Sequence, residues 1–466
     1  MRLQTLVRSL TTFFLFGASL VAHTTVRAGD ELAAYVAAPD SSYAWREVTS
    51  GRIGSTDYAV LILTSHTWRG IAWKHQLILL KPAKTKAAAK QAFLFIHGGR
   101  WNPDYESGEF KLPREVRIFT RLADTLGAPV AILRQVPFQP LFERREDALI
   151  AYTFDEYLKT GEGDWPILLP MVKSAVRGMD AVQEFTQQRW QMPVDKFMVA
   201  GASKRGWTTW LTAAIDPRVA SAAPMVIDML NFKEQIGLQR ATFGELSEEV
   251  QDYQRIDLPG RINTDLGRKL MDMVDPYSYR DRLLQPKLIL LGTNDRYWPL
   301  DALKLYWNGL SEPKRVLYVP NQGHGIADIN RLIGSLSALH RYSARGELLP
   351  RVSWTFSPTA TTLGLNVETD RAPRRLMAWT AVSATRDFRK SHWQSHACTR
   401  ASNGSYRCAT KIKPGQYTAL YGEASFRDRD EPDFSLSTGV CINGGPEASP
   451  TSCLDEKPRA VALQVP

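Results

Sequence analysis

Cysteine is scarce and confined to one end. The 466-residue chain has four, Cys398, Cys408, Cys441 and Cys453, and none earlier. No two stand in a CxxC spacing, which argues against a zinc knuckle or a redox pair of that kind. There is no HExxH, no P-loop and no dinucleotide-binding glycine pattern, so neither a metal nor a cofactor is expected. Long Lys/Arg runs and basic patches interleaved with aromatics are also missing, which argues against nucleic acid as a partner. Beyond residue 28 no apolar run reaches the roughly 20 residues that a membrane-crossing helix needs.

What is present begins with a leader. Arg2 and Arg8 precede an uncharged apolar run over 10–22, and Val26-Arg27-Ala28 offers small residues ahead of Gly29. This pattern predicts a signal peptide over 1–28 and export to the periplasm or the medium. An even number of cysteines in an exported chain suggests disulfides. Three pairings are open; Cys398–Cys408 and Cys441–Cys453 are favoured because each pair flanks a short turn-rich stretch. The formal charge is +10, and removing Arg2, Arg8 and Arg27 leaves +7. Such an excess suits a soluble charged surface or contact with an anionic envelope surface. Nothing in the sequence speaks to oligomeric state.

Hydrophobic residues make up 44% of the chain, enough for a large core without a disulfide scaffold. Length alone favours two domains. Residues 58–65 and 75–80 read as an antiparallel pair joined by a turn at Arg69-Gly70. After them, apolar runs at 92–96, 129–133, 196–200, 222–227, 287–291 and 315–319 alternate with helical patterns at 112–126, 167–188, 207–214, 300–309 and 326–346. Unbroken Val/Ile/Leu runs suit strands covered on both faces, and the alternation with helices implies a mostly parallel sheet. Two charged segments, 143–165 and 230–274, interrupt the rhythm and are expected to form a lid or cap. From 351 to 446 short alternating runs between Gly, Pro, Asn and Asp turns predict an all-β sandwich domain. The tail over 447–466 is expected to be loose apart from Cys453.

The chemistry centres on Gly201-Ala202-Ser203-Lys204-Arg205-Gly206, which joins an apolar strand to a helix. This is the setting of a nucleophile elbow, a sharp turn that lifts a serine above a sheet. It departs from G-x-S-x-G, since Arg205 stands where the second glycine belongs and Gly206 follows it. Asp295, in Gly292-Thr293-Asn294-Asp295, follows one late strand. His324, in Asn321-Gln322-Gly323-His324-Gly325, follows the last. Taken singly, the serine and the aspartate read as helix caps and the histidine as a loop residue. In the order Ser, Asp, His, each at a strand's carboxyl end, they form the α/β-hydrolase pattern. The serine would attack, His324 would carry its proton, and Asp295 would orient the imidazole. Backbone N–H groups of Lys204 and Gly99 would form the oxyanion hole, with Arg100 as an alternative to Gly99. Asp228 is a rival acid one strand earlier. Trp165, Tyr297 and Trp298 are candidate pocket walls. The expected fold is therefore an α/β-hydrolase domain over 29–350, with cap insertions, followed by the β-sandwich. The expected activity is hydrolysis of a carboxylic ester of a small-molecule or envelope-derived acyl compound. Alternatives are a peptidase or amidase on the same residues, or a non-catalytic envelope or host-interaction protein.

The chain also resembles the PhoPQ-activated pathogenicity-related protein family almost end to end. The likeness runs through Tyr35-Val36 to Trp45, Glu146 to Tyr152, Trp165 to Glu184, Gly201 to Arg218, Pro224 to Asn231, Gly292 to Asp295 and Phe434 to Val440. It implies an exported α/β-hydrolase-like protein with a C-terminal β domain, linked by name to a system for envelope stress and virulence. The elbow is similar to that of glucuronoyl esterases, where a basic residue follows the serine. By that likeness Lys204 or Arg205 would favour an acidic substrate.

Overall fold

Aliphatic and aromatic residues fill both faces of the central strands, which forces a helical layer onto each side. The computed structural model describes residues 30–85, 90–107, 112–428, 431–445 and 451–456. The expected leader lies outside these residues. So does the tail, apart from 451–456.

The hydrolase-like sheet contains β1 (Ala44–Ile53), β2 (Thr56–Trp68), β3 (Ile71–Lys81), β4 (Gln91–Ile96), β5 (Val130–Leu133), β6 (Lys196–Ala202), β7 (Val219–Met225), β8 (Lys287–Gly292) and β9 (Lys314–Val319). Their spatial order is β1-β2-β3-β5-β4-β6-β7-β8-β9. β1, β2, β3 and β5 pair antiparallel in succession, and every pair from β5–β4 onward to β9 is parallel. The exchange of β4 and β5 and the run of parallel strands beyond it give the α/β-hydrolase fold. Helices α1 (Asp30–Ala37), α4 (Leu168–Trp190) and α5 (Lys204–Ile215) pack together in one layer. Helices α2 (Val116–Leu126) and α10 (Ile329–Ala344) pack in the other.

Three elements differ from expectation. β1 lies on the sheet edge with five residues exposed, five half-buried and no buried face to mark it. The segment 143–165 contains a helix, α3 (Glu146–Thr160), with Leu149, Ile150, Phe154, Tyr157 and Leu158 buried at helical spacing. The stretch 300–309 forms two 3-10 turns, Ala302–Leu305 and Trp307–Gly309, in place of one helix. The second insertion folds into α6 (Phe232–Phe243), α7 (Gln251–Arg255), α8 (Leu258–Arg261) and α9 (Asp265–Val274).

The C-terminal strands are β10 (Val352–Pro358), β11 (Thr362–Thr369), β12 (Arg375–Ser383), β13 (Gln394–Ala397), β14 (Thr399–Arg400), β15 (Tyr406–Lys411), β16 (Tyr417–Phe426), β17 (Phe434–Ser437), β18 (Cys441–Gly444) and β19 (Ser452–Cys453). One antiparallel sheet has the order β10-β11-β15-β14. It faces β16, where Gly422 leaves room for Leu365 and Val367. The other strands do not stand apart. β17 pairs with β9 through Ser437 and Val316, so the central sheet runs on through β17-β16-β12-β13 and reaches 15 strands. Disulfides join Cys398 to Cys408 and Cys441 to Cys453. Among the described residues no helix is long and apolar enough to cross a membrane.

Candidate active site

β6 ends in a turn that only small residues permit. Ser203 has φ 57° and ψ −129°, a conformation that side-chain-bearing residues rarely adopt. A Cβ on Gly201 would come within 2.5 Å of the Arg205 carbonyl oxygen. One on Gly206 would come within 2.9 Å of the carbonyl oxygens of Gly201 and Met225. The displaced second glycine thus has a reason: at position 206 α5 packs directly on the ends of β6 and β7. The strain at Ser203 places its hydroxyl above the sheet at the start of α5, where backbone N–H groups lack helical partners.

The loops after β8 and β9 bring two further side chains to it. His324 Nε2 lies 2.7 Å from Ser203 Oγ, and His324 Nδ1 lies 2.9 and 3.1 Å from the carboxylate oxygens of Asp295. The carboxylate fixes the proton on Nδ1, which donates to Asp295, and so leaves Nε2 to accept from the serine hydroxyl. The Tyr297 ring stacks on the imidazole at 4.1 Å, and the Tyr297 N–H donates to Asp295 at 2.9 Å. The two loops touch so closely that a Cβ on Gly292 would fall 2.4 Å from the Gly323 oxygen. They are also tied from outside. Asn294 Nδ2 donates to the carbonyls of Phe388, Arg389 and Ser391, while Asn321 exchanges hydrogen bonds with the backbone of Trp393.

Asp228, the rival acid, is not on the imidazole. It accepts from the Tyr306 hydroxyl at 2.6 Å. Burial, with the charges of Asp295 and Asp301 adding to it, pushes its carboxyl up to about 8. A carboxyl that is neutral at pH 7 is unsuited to stabilising an imidazolium.

The cations beside the serine are engaged. Lys204 Nζ is 3.1 Å from Glu146 and 3.0 Å from Asp147, while the Arg205 fork holds Glu146 at 2.6 and 2.8 Å. Both cations are buried. Burial pushes the Glu146 carboxyl up, but hydrogen bonds from Arg205 and the charges of Arg205 and Lys204 overcome this and hold it well below the usual range. Paired in this way, the two cations give no separate reason to expect an acidic substrate. Arg205 has another task. Its Nε donates to the Val136 oxygen at 2.5 Å, and its guanidinium lies against Gly98. Glu146 accepts from Gln139, which also donates to the Gly99 oxygen at 3.1 Å. The Gly99 loop and the elbow are thereby held by one network. Lys204 begins α5 immediately after the serine, and Gly99, with φ 124°, follows β4 in that loop.

A small cavity of about 30 Å³ lies over Ser203. Its walls include Lys204, Trp207, Met229, Tyr253, Tyr297 and Trp298, with His324 at one side. Both insertions contribute, through Asp147 from one and Phe232, Val250 and Tyr253 from the other. Asp147 accepts from Tyr253 at 3.0 Å and Tyr297 at 3.4 Å, so it ties the walls together. Trp165 does not belong here. It is buried among Trp68, Phe142 and Tyr152, beneath the Arg69 guanidinium at 3.8 Å. Glu146 and Asp147 escaped the sequence reading as site residues. Their only signal was an acidic pair inside a family-like stretch.

Comparison with known proteins adds relatives. The chain is 31% identical over 428 residues to autocrine proliferation repressor protein A of Dictyostelium discoideum, covering 84% of this chain and 85% of that protein. Among solved structures, acetyl xylan esterase 1 of Thermoanaerobacterium sp. JW/SL YS485 matches with a TM-score of 0.44 and 15% identity, over 68% of this chain and 94% of that one. The acetyl xylan esterase of Paenibacillus sp. R4 matches with a TM-score of 0.46 and 14% identity, over 68% and 93%. A model of one family matches residues 32–389. The chain belongs to the PhoPQ-activated pathogenicity-related protein family.

Proposed function

We propose that this protein is an exported serine hydrolase that cleaves a carboxylic ester. The carrying observation is the 2.7 Å contact between Ser203 Oγ and His324 Nε2, with Asp295 on the far nitrogen. In this reading His324 takes the serine proton as Oγ attacks the ester carbonyl. The N–H groups of Lys204 and Gly99 receive the oxyanion. Collapse breaks the bond to the alcohol, whose oxygen takes the proton from His324. Water then repeats the sequence, releasing the acid and freeing the serine. Asp295 stays ionised throughout and supports the imidazolium. Export is supported by the leader-like sequence over 1–28 and by the two disulfides, which suit an oxidising compartment.

The test is labelling of the purified mature chain with a fluorophosphonate, followed by peptide mapping and by turnover of simple esters against matched amides. Label is expected on Ser203 and should be absent from Ser203→Ala and His324→Ala. Ester turnover should fall about 10⁴-fold or more in either variant. A folded protein that takes no label, or a Ser203→Ala variant with undiminished turnover, would end the proposal. Faster turnover of the amides would replace the esterase with a peptidase or amidase.

A further inference from the structure

A second cavity, of about 250 Å³, opens on the other side of His324. It lies between α2 and α10 above the ends of β4 and β7. Both helices turn apolar faces into it: Phe119 and Leu122 from α2, Ile329 and Ile333 from α10, with Phe95 and Met225 below. Among the described residues its lining holds no carboxylate, lysine or arginine; the titratable groups there are His97 and His324. An apolar cleft open to water in this way gains from a hydrocarbon that covers its walls.

The two cavities differ in which reacting group they touch. The small one is lined by both Ser203 and His324, the large one by His324 and Ala202 but not by Ser203. An acyl group becomes bonded to Ser203 Oγ, so it must lie in space that Ser203 lines. The departing oxygen must reach His324, which serves both. About 30 Å³ clears the roughly 10–15 Å³ that admits one water-sized group and leaves little space beyond it. Among the described residues that line that pocket, the acidic and basic side chains are Asp147 and Lys204, paired at 3.0 Å.

We infer that the substrate is an uncharged ester with an acyl group of two or three carbons and an apolar alcohol of several carbons. The acyl group occupies the small pocket and the alcohol fills the cavity between α2 and α10. This rests on Ser203 acting as the nucleophile, and it goes further by giving each half of the ester a place.

The experiment uses two ester series with the purified mature protein. In acetates from methyl to hexyl, kcat/KM should rise roughly three- to fourfold per methylene, the worth of burying each one. In methyl esters from acetate to hexanoate it should fall at least about tenfold beyond propanoate, as overfilling a packed pocket demands. The methyl monoester of succinate should be a poorer substrate than methyl butanoate. Ile333→Trp, which fills the cavity, should draw the hexyl-to-methyl acetate ratio towards one. Leu122→Phe should do so in part, should the larger change fail to fold. A rising acyl series with a flat alcohol series, or a preference for the anionic ester, overturns the inference. So does the absence of turnover for every ester while Ser203 still takes a fluorophosphonate. An unlabelled Ser203 in folded protein overturns the reading beneath it instead.

Discussion

Asp228 and Asp295 show how placement divides two like residues. Both follow central strands, and both are buried. Asp295 faces an imidazole and a backbone N–H, while Asp228 faces a phenol. Asp228→Asn should therefore leave kcat/KM within a few-fold, whereas Asp295→Asn should lower it by about 10⁴. The same pair of variants reports on stability. The Asp228 carboxyl is raised to about 8 in the folded chain, against 3.8 for the free group. Between those values the unfolded chain ionises and the folded one does not, so the wild type loses stability as pH rises, by up to ~1.4 kcal/mol per unit. Asparagine feels none of this. The stability gained by Asp228→Asn, read from urea midpoints, should grow from pH 4 to pH 8 and then level off. A constant difference would mean that Asp228 is ionised in the fold. Ser203, Asp295 and His324 were legible because each sits in a local glycine-rich signature behind an apolar strand. The partners of Lys204 and Arg205 were not, since Glu146 lies 59 residues before Arg205 and meets it only through the tertiary fold.

At the scale of elements, the loop between β12 and β13 acts as a brace. Its backbone carbonyls at Phe388, Arg389 and Ser391 fix Asn294, the neighbour of Asp295, and its Trp393 backbone fixes Asn321, three residues before His324. The C-terminal region therefore reaches the site although its described residues line neither cavity beside His324. Asn294→Ala should lower kcat about 10- to 100-fold with a smaller change in KM, because misplacing the aspartate costs alignment and not binding. Steady-state kinetics alongside a melting curve would check this, and an unchanged kcat in a folded variant would dismiss the brace. Parallel strands were readable from apolar runs that hydrophobic cover on both faces demands. β1 was not, since its burial is slight and irregular. α3 hid behind charges: Glu146 and Asp147 at its first turn drew attention from the apolar stripe that follows. The turns near 302–309 have helical composition, but Tyr306 leaves helical geometry between them, with φ −139°. The disulfides followed from local spacing, as both pairs close short loops of 10 and 12 residues.

The molecule as a whole carries its histidines unevenly. His66, His75 and His340 are buried, and burial depresses them to about 3, 4 and 4. Each takes up a proton in the unfolded chain from about pH 6.5 downward, well before the folded chain can. Asp228 and Asp275, raised by burial to about 8 and 6, act in the opposite sense. Burial also lowers His97 and raises Asp272, so four groups outweigh three and the urea midpoint should fall between pH 6.5 and 4.5; a midpoint that rises on acidification would contradict the burial of these histidines. The join between β9 and β17 has a consequence in time. A chain emerges N-terminus first. Ser203 and His324 leave the ribosome before the β12–β13 loop that braces their neighbours and the β17 strand that carries the sheet on beyond β9. Until residues 388–437 have arrived, Asn294 and Asn321 lack their backbone partners, so the loops that carry Asp295 and His324 take their described geometry only once most of the chain has been made.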